Sequence, residues 1–158
     1  MRSIELLGVS PHSPDFHQLI AKLDADLGRR YPQAAIHGMD FSDPGIQSAE
    51  FVVAYLNGWP IGCGAMRLIG PVLSELKRVF VEPDFRGQGV ASSIVGFLEE
   101  RAKSRGADFI RLECGEKQPE ALALYEKLGY CRIDRFGEYV NDDSSVCMEK
   151  RLHRREPD

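Results

Sequence analysis

The chain has 158 residues, with 20 Lys and Arg against 24 Asp and Glu, and its formal net charge is −4 at pH 7. This length suits a single domain that buries about two thirds of its unfolded surface, and the acidic balance gives no reason to expect nucleic-acid binding. No apolar run approaches the length of a membrane span and no secretory leader pattern is seen, so we expect a cytoplasmic protein without a membrane partner.

The predicted elements form one domain, residues 1–152, followed by a charged, disordered tail at 153–158. Helices are predicted on the apolar stripe at 16–27, at 90–105 and at 119–128, the last two ending before Gly106 and Gly129. Strands are predicted at 4–9, 51–56, 60–68, 72–81, 109–114, 130–134 and 145–151. This order predicts an α+β fold with a mixed central sheet of about six to seven strands and helices on both faces.

The strand at 72–81 is predicted to alternate strictly, with Glu75, Lys77, Val79 and Val81 on one face. It runs through a proline-marked turn into a short basic loop that opens the helix at 90. Such a loop directs several backbone N–H groups at one point, beside the positive end of the helix dipole. The sequence therefore predicts a phosphate or pyrophosphate site there.

Within this loop Arg86 supplies a charge, while Gly87 and Gly89 let the backbone approach a ligand closely. The loop is not a dinucleotide fingerprint, because position 92 is Ser92, and it lacks the G-K-[ST] of a Walker loop. Arg86, Gly89 and Ala91 instead form R-x-x-G-x-A, which resembles the acyl-CoA pyrophosphate signature R/Q-x-x-G-x-G/A of the GNAT superfamily of N-acetyltransferases.

A second segment carries the same resemblance, which covers residues 51–152. Residues 118–130, QPEALALYEKLGY, are similar to the superfamily's N-x-x-A-x-x-L-Y-x-x-x-G-F, with Gln118 in place of Asn and Tyr130 in place of Phe. The resemblance implies a GNAT-like, mostly antiparallel sheet and transfer of an acetyl group from acetyl-CoA to a primary amine.

The same resemblance implies where acetyl-CoA binds. Its pantetheine arm would lie along Val79, Phe80 and Val81, where a backbone N–H would polarise the thioester carbonyl. Its pyrophosphate would lie on the loop formed by Arg86, Gly87, Gln88, Gly89, Val90 and Ala91. Gln118 matches the Asn that contacts the cofactor in the superfamily.

Acetyl transfer also needs a base, because an amine of pKa about 10 is protonated at neutral pH. The offset of Glu75 resembles that of the catalytic glutamate in histone-acetylating members, and Glu113 resembles the base of ribosomal-protein N-terminal acetylating members. Both stay open, as does a structural role for either carboxylate. Tyr125 matches the general acid that protonates the departing CoA thiolate, although its spacing also suits a core aromatic residue.

The acceptor is the least determined feature. A small amine metabolite is the first interpretation, a protein N-terminus or lysine the second, and a non-catalytic acyl-CoA sensor the third. The sensor is disfavoured because it has no use for Glu75, Glu113 and Tyr125 together. His37, Asp40 and Tyr139 are candidates to contact the acceptor, and a homodimer through edge strands is left open.

Cysteine placement gives no sign of a metal or disulfide framework. The four cysteines are scattered, without a C-x-x-C pair or a histidine at ligand spacing: Cys63, Cys114, Cys131 and Cys147. Buried free thiols in a reducing compartment are the simpler interpretation, so we expect no metal site.

Overall fold

A seven-stranded mixed sheet forms the centre of the protein, with strand order β1-β2-β3-β4-β5-β7-β6. The computed structural model describes residues 3–32 and 38–152, so His37 and the predicted tail at 153–158 lie outside the described residues. The strands are β1 Ile4–Val9, β2 Glu50–Leu56, β3 Trp59–Leu68, β4 Leu73–Val81, β5 Phe109–Gly115, β6 Cys131–Ile133 and β7 Ser145–Arg151. The α-helices are α1 Pro14–Gly28, α2 Val90–Ser104 and α3 Pro119–Lys127.

Two apolar cores lie on opposite faces of this sheet. Phe16, Leu19 and Ile20 of α1 pack with residues of β2 and β3 on one face. On the other face, Ile94 of α2 and Leu122 of α3 belong to a second core. All neighbouring strands are antiparallel except β4 and β5. The predicted fold class, a mostly antiparallel mixed sheet with helices on both faces, is confirmed.

Local sequence explains where the helices begin and end. The Ser13 hydroxyl accepts a hydrogen bond from the Phe16 backbone N–H at 3.3 Å, and Pro14 occupies the first turn of α1. Gly106 and Gly129 follow α2 and α3 with φ of +93° and +100°, a left-handed conformation that ends a helix without steric strain. Short 3₁₀ helices at Pro44–Ser48, Pro83–Phe85 and Gly137–Tyr139 lie in segments predicted as turns or loops.

A β-bulge in β4 decides which side chains face the site. Ala65 of β3 pairs with Lys77, but Cys63 pairs with Phe80, so β4 contains one extra residue. Arg78 sits at this point with φ of +59°, which is unusual for a residue with a side chain. The predicted strict alternation along β4 is therefore wrong.

Core membership shows the consequence of the bulge. Leu76 and Val81, five positions apart, belong to the core on the α2 face, whereas Phe80 belongs to the core on the α1 face. Val79 packs against the α2-face core. Under strict alternation Leu76 and Phe80 would share a face. Glu75 is consequently not in phase with Val79 and Val81, because the extra residue reverses the alternation beyond Arg78.

The parallel strands β4 and β5 are paired over only a short length. Their register joins Leu73 to Phe109, Ser74 to Ile110 and Glu75 to Arg111, and no later residues of the two strands are paired. Beyond Glu75 the strands separate toward their carboxyl ends. A cleft opens there, at the kind of edge where ligands bind in sheets with parallel strands. Within the described parts of the chain, no helix is both long and apolar enough to span a membrane.

Candidate active site

The cleft between β4 and β5 has two connected halves. The loop half, with a volume of about 470 Å³, lies against the end of β4, the loop at Arg86–Gly89 and the start of α2. The inner half, about 130 Å³, lies between α1, the bulge of β4 and the end of β5. Five residues line both halves and so mark their junction: Leu23, Val79, Gln118, Ala121 and Tyr125.

The loop half has the properties of an anion site. Gly87 and Gly89 have φ of +75° and +84°, and a Cβ at either position would have no atom within 4 Å. Helix α2 begins at Val90 without a side-chain cap, so the N–H groups of its first turn have no capping acceptor. Their donors and the helix dipole favour negative charge at this point.

Arg86 is held at the rim of the loop half by the end of β4. Its Nε donates to the Val81 carbonyl oxygen at 2.8 Å, and its guanidinium lies 5.6 Å from the centre of the Phe80 ring. The predicted cofactor residues that line this half are Val79, Phe80, Val81, Arg86, Gly87, Gly89, Val90, Ala91 and Gln118. Gln88 is not among the lining residues; its side-chain amide donates to the Asp84 carbonyl at 3.4 Å.

The inner half gathers polar groups from three parts of the fold. Glu113 and Cys114 come from β5, Lys77 comes from β4, and Tyr139 comes from the 3₁₀ helix before β7. Burial raises the pKa of the Cys114 thiol to about 12. This thiol donates to Gln118 Oε1 at 3.3 Å. Cys114 is therefore a protonated, weakly nucleophilic group at neutral pH.

Tyr125 lies where the two halves meet. It is buried in the α2-face core and packs edge-to-face on Tyr130, with 5.7 Å between ring centroids. Burial raises the pKa of its phenol, so the hydroxyl stays protonated well above neutral pH. Tyr125 thus fills the core position that was the alternative to its predicted acid role, and it also lines both halves of the cleft.

The two candidate bases lie in different positions. Glu113 is half-buried and lines the inner half. Glu75 is only 1% exposed and is not one of the described residues that line either half. Its Oε1 accepts from Arg67 Nε at 2.8 Å, and its Oε2 accepts from the Tyr139 hydroxyl at 2.7 Å. Among the described residues that line the cleft, Tyr139 is the one that hydrogen-bonds to Glu75.

Tyr31, which the sequence analysis missed, lines the inner half on the α1 side. The Tyr31 hydroxyl accepts a hydrogen bond from the Lys117 backbone N–H at 2.8 Å. Beside it, Arg30 Nη1 donates to Glu120 Oε1 at 3.0 Å. These bonds join the segment after α1 to the segment at the start of α3. The bonded residues are separated by 86 positions in one case and 90 in the other, so the sequence carries no local signal for either contact.

A glycine-containing loop before α2, two parallel strands that separate beyond Glu75 and a tyrosine on α3 at the junction of the cleft halves are the features expected of an acyl-transfer enzyme that uses acyl-CoA. A model of the acetyltransferase (GNAT) family matches residues 18–130. The chain therefore belongs to the GNAT family of acetyltransferases, and the predicted family and enzyme class are confirmed.

Individual relatives agree with this assignment. The chain is 33% identical over 153 residues to an IAA acetyltransferase from Azospirillum brasilense, which covers 96% of this chain and 100% of that protein. It is similar, with TM-score 0.84 and 33% identity, to a crystal structure from Klebsiella pneumoniae assigned as an acyl-CoA N-acyltransferase, over 97% of this chain and 99% of that one. A GNAT structure from Elizabethkingia anophelis with acetyl-CoA bound has the same fold, with TM-score 0.70 and 18% identity over 94% and 98% of the two chains.

Proposed function

We propose that this protein transfers the acetyl group of acetyl-CoA to the primary amine of a small metabolite, by direct attack of the amine on the thioester. Tyr125 would act as the general acid, and Glu75 or Glu113 would receive the proton of the amine. The main observation in support of the proposal is that the two cleft halves meet at Tyr125. On one side of it lies the loop proposed to bind the pyrophosphate, and on the other lies the pocket that contains the Glu113 carboxylate.

The loop half fits acetyl-CoA by its chemistry. The N–H groups at Gly87–Val90 and the Arg86 guanidinium would hold the pyrophosphate. Beyond Glu75, β4 is no longer paired with β5, so backbone groups near Val79 are available to the pantetheine arm and the thioester. A backbone N–H aimed at the thioester oxygen would stabilise the negative charge that develops there. Membership of the GNAT family and the acetyl-CoA bound to the Elizabethkingia relative support this assignment.

The inner half supports direct transfer rather than a covalent acetyl-enzyme. Cys114 is the cysteine that lines this half, and the raised pKa of its thiol leaves very little thiolate at neutral pH. The amine itself is then the nucleophile and must first lose a proton. Glu113 can receive that proton within the cleft, while Glu75 needs an intermediary.

Tyr125 suits the acid step because its phenol remains protonated until charge develops on the sulfur of CoA. A phenol next to the departing thiolate would protonate it and prevent the reverse reaction. The position of Tyr125 at the junction supports this role, since the thioester must lie where the cofactor and the acceptor meet.

The size of the inner half favours a small acceptor. Its volume is about 130 Å³, against about 470 Å³ for the loop half. Tyr31, held by the bond from the Lys117 N–H to its hydroxyl, forms part of its wall on the α1 side. A peptide would need an open groove at this point, whereas a small amine needs only the pocket.

Purified protein, acetyl-CoA and two acceptor panels, one of small amines and one of peptides, test the proposal. We expect CoA thiol release with small amines and none with peptides that present a free N-terminus or a lysine. Release with peptides alone would favour a protein acetyltransferase. Calorimetric binding of acetyl-CoA without release on any acceptor would indicate a sensor, and no binding heat at all would refute the cofactor assignment.

A further inference from the structure

Tyr139 connects the inner half of the cleft to a carboxylate that does not line it. The ring lines the pocket and the residue is only 3% exposed. Its hydroxyl donates to Glu75 Oε2 at 2.7 Å and accepts from Lys77 Nζ at 3.0 Å. In the part of the chain that the structure describes, the Tyr139 hydroxyl thus forms a hydrogen-bonded connection between the pocket lining and Glu75.

Charged groups surround this path on every side. Arg67 from β3 donates to the other oxygen of Glu75 at 2.8 Å, and the buried Lys77 also donates to Glu138 Oε1 at 3.2 Å. Glu113 of β5 and the thiol of Cys147 on β7 lie close enough to interact electrostatically with the pair. Arg67 and Lys77 thus place two cations beside the carboxyl groups of Glu75 and Glu138, and both oxygens of Glu75 accept hydrogen bonds.

We propose that Tyr139 relays a proton from the acceptor ammonium to Glu75, an inference that rests on the proposed acetyl transfer. A hydroxyl oxygen has two acceptor lone pairs, and an N–H of the acceptor would use one of them. As the N–H bond breaks and its proton joins the phenol oxygen, the original phenol proton passes to Glu75 Oε2. The amine becomes neutral and nucleophilic, Glu75 becomes a carboxylic acid, and Tyr139 ends as a phenol.

The charge of Lys77 and the protonated state of the phenol both favour this transfer. The Lys77 ammonium lies beside the phenol oxygen, and a like charge disfavours the protonated form of an amine that approaches it. The phenol itself is not a competing base, because burial and the adjacent Glu75 raise its pKa above the ordinary value. Glu75 returns the proton to water through the same hydroxyl after the product has left.

The test compares Tyr139→Phe, Glu75→Gln and the double variant with the wild type at saturating acetyl-CoA, over a pH range. Tyr55→Phe is the matched control, because Tyr55 also donates to a carboxylate oxygen, Asp15 Oδ2, at 2.7 Å but lines neither half of the cleft. We expect each single variant to lower kcat by about 100-fold near neutral pH. The double variant should be no slower than either single variant, since both remove one path.

The pH profile separates a relay from a structural role. Without the relay, only acceptor that is already neutral can react, so the loss should shrink as pH rises toward the amine pKa of about 10. The affinity for acetyl-CoA should not change, and Tyr55→Phe should behave as the wild type at every pH. Thermal unfolding shows whether each variant is folded at the assay temperature. If Tyr139→Phe is not folded, the same kcat and pH measurements on Glu75→Gln test the relay.

If the wild type is active, three outcomes would overturn the relay. The first is a Tyr139→Phe enzyme as active as Tyr55→Phe, and the second is a double variant whose losses multiply. The third is a Glu113→Gln variant that alone shows the expected loss and pH dependence, which would make Glu113 the base. A wild-type protein that releases no CoA with any amine would refute both the proposed function and the relay. In the three outcomes above the wild type is active, so failure of the relay alone can be told apart from failure of the function.

Discussion

Gly115→Ala should displace Tyr31 and open the inner half of the cleft. A Cβ at Gly115 would overlap with the Tyr31 hydroxyl oxygen and would lie 3.0 Å from its Cε1. The flexible end of the tyrosine must therefore move away. In doing so it would give up its hydrogen bond to the Lys117 N–H and its burial, which leaves it only 8% exposed in the native fold.

The magnitude follows from these two losses. A lost hydrogen bond contributes about 1 kcal/mol, and re-exposing most of a large side chain about 1.5–3 kcal/mol, so we expect a loss of about 2–4 kcal/mol in the free energy of unfolding. Urea denaturation measures it. The matched control is Gly96→Ala in α2, where a Cβ would have no atom within 4 Å. That variant should gain about 0.5–1 kcal/mol from helix propensity.

Activity gives an independent readout of the same change. With Tyr31 displaced, the KM for a small acceptor should rise more than kcat falls, because the wall of the acceptor pocket is lost while the groups proposed for the chemistry remain. A Gly115→Ala protein with wild-type stability and wild-type acceptor KM would refute the placement of Tyr31 against the end of β5.

Four further variants test separate parts of the site and fold. Tyr125→Phe should lower kcat by one to three orders of magnitude, roughly the range of a lost acid step, with the Kd for acetyl-CoA unchanged. Arg86→Ala should raise that Kd about 10-fold by calorimetry, because it removes one charged contact to the pyrophosphate. Gly64→Ala should lower the free energy of unfolding by about 1–3 kcal/mol, since its Cβ would lie 2.7 Å from Ile94 Cγ2 in the packed α2 interface. Cys114→Ser should keep most of the turnover, and intact-mass measurement after exposure to acetyl-CoA should find no acetylated protein.

Each of these variants has an outcome that contradicts the reasoning. Unchanged kcat in Tyr125→Phe removes that residue from the acid step, and unchanged cofactor affinity in Arg86→Ala places the pyrophosphate elsewhere. A Gly64→Ala protein as stable as the wild type means that α2 can move away from β3 at little cost. A stable acetyl adduct on Cys114 would replace direct attack with a two-step mechanism.

Local patterns predicted the elements because their causes are local. Glycine ended α2 and α3 through a positive φ, and Ser13 and Pro14 started α1 through a cap and a preset φ. The conformation of the loop at Arg86–Gly89 was also readable, because its glycines and the adjoining start of α2 lie within one short segment.

The bulge in β4 had no such signal. Whether β4 has a bulge at Arg78 depends on how Cys63 and Ala65 of β3 pair with β4. That register is a property of the two strands together. The strict alternation placed Glu75 in phase with Val79, and the bulge reversed the alternation between them. The contact between Glu75 and Tyr139 joins residues 64 positions apart, which no spacing rule anticipates.

The amino-acid sequence by itself determined the elements and the glycine-containing loop before α2, since each depends on interactions between residues near one another along the chain, and two motifs in it indicated the family. Only the tertiary structure decided which carboxylate lines the cleft, how Tyr31 closes it and which phenol connects Glu75 to it. Those features depend on strand register and on contacts between distant segments, because a side chain's surroundings are set by whatever the whole fold brings beside it.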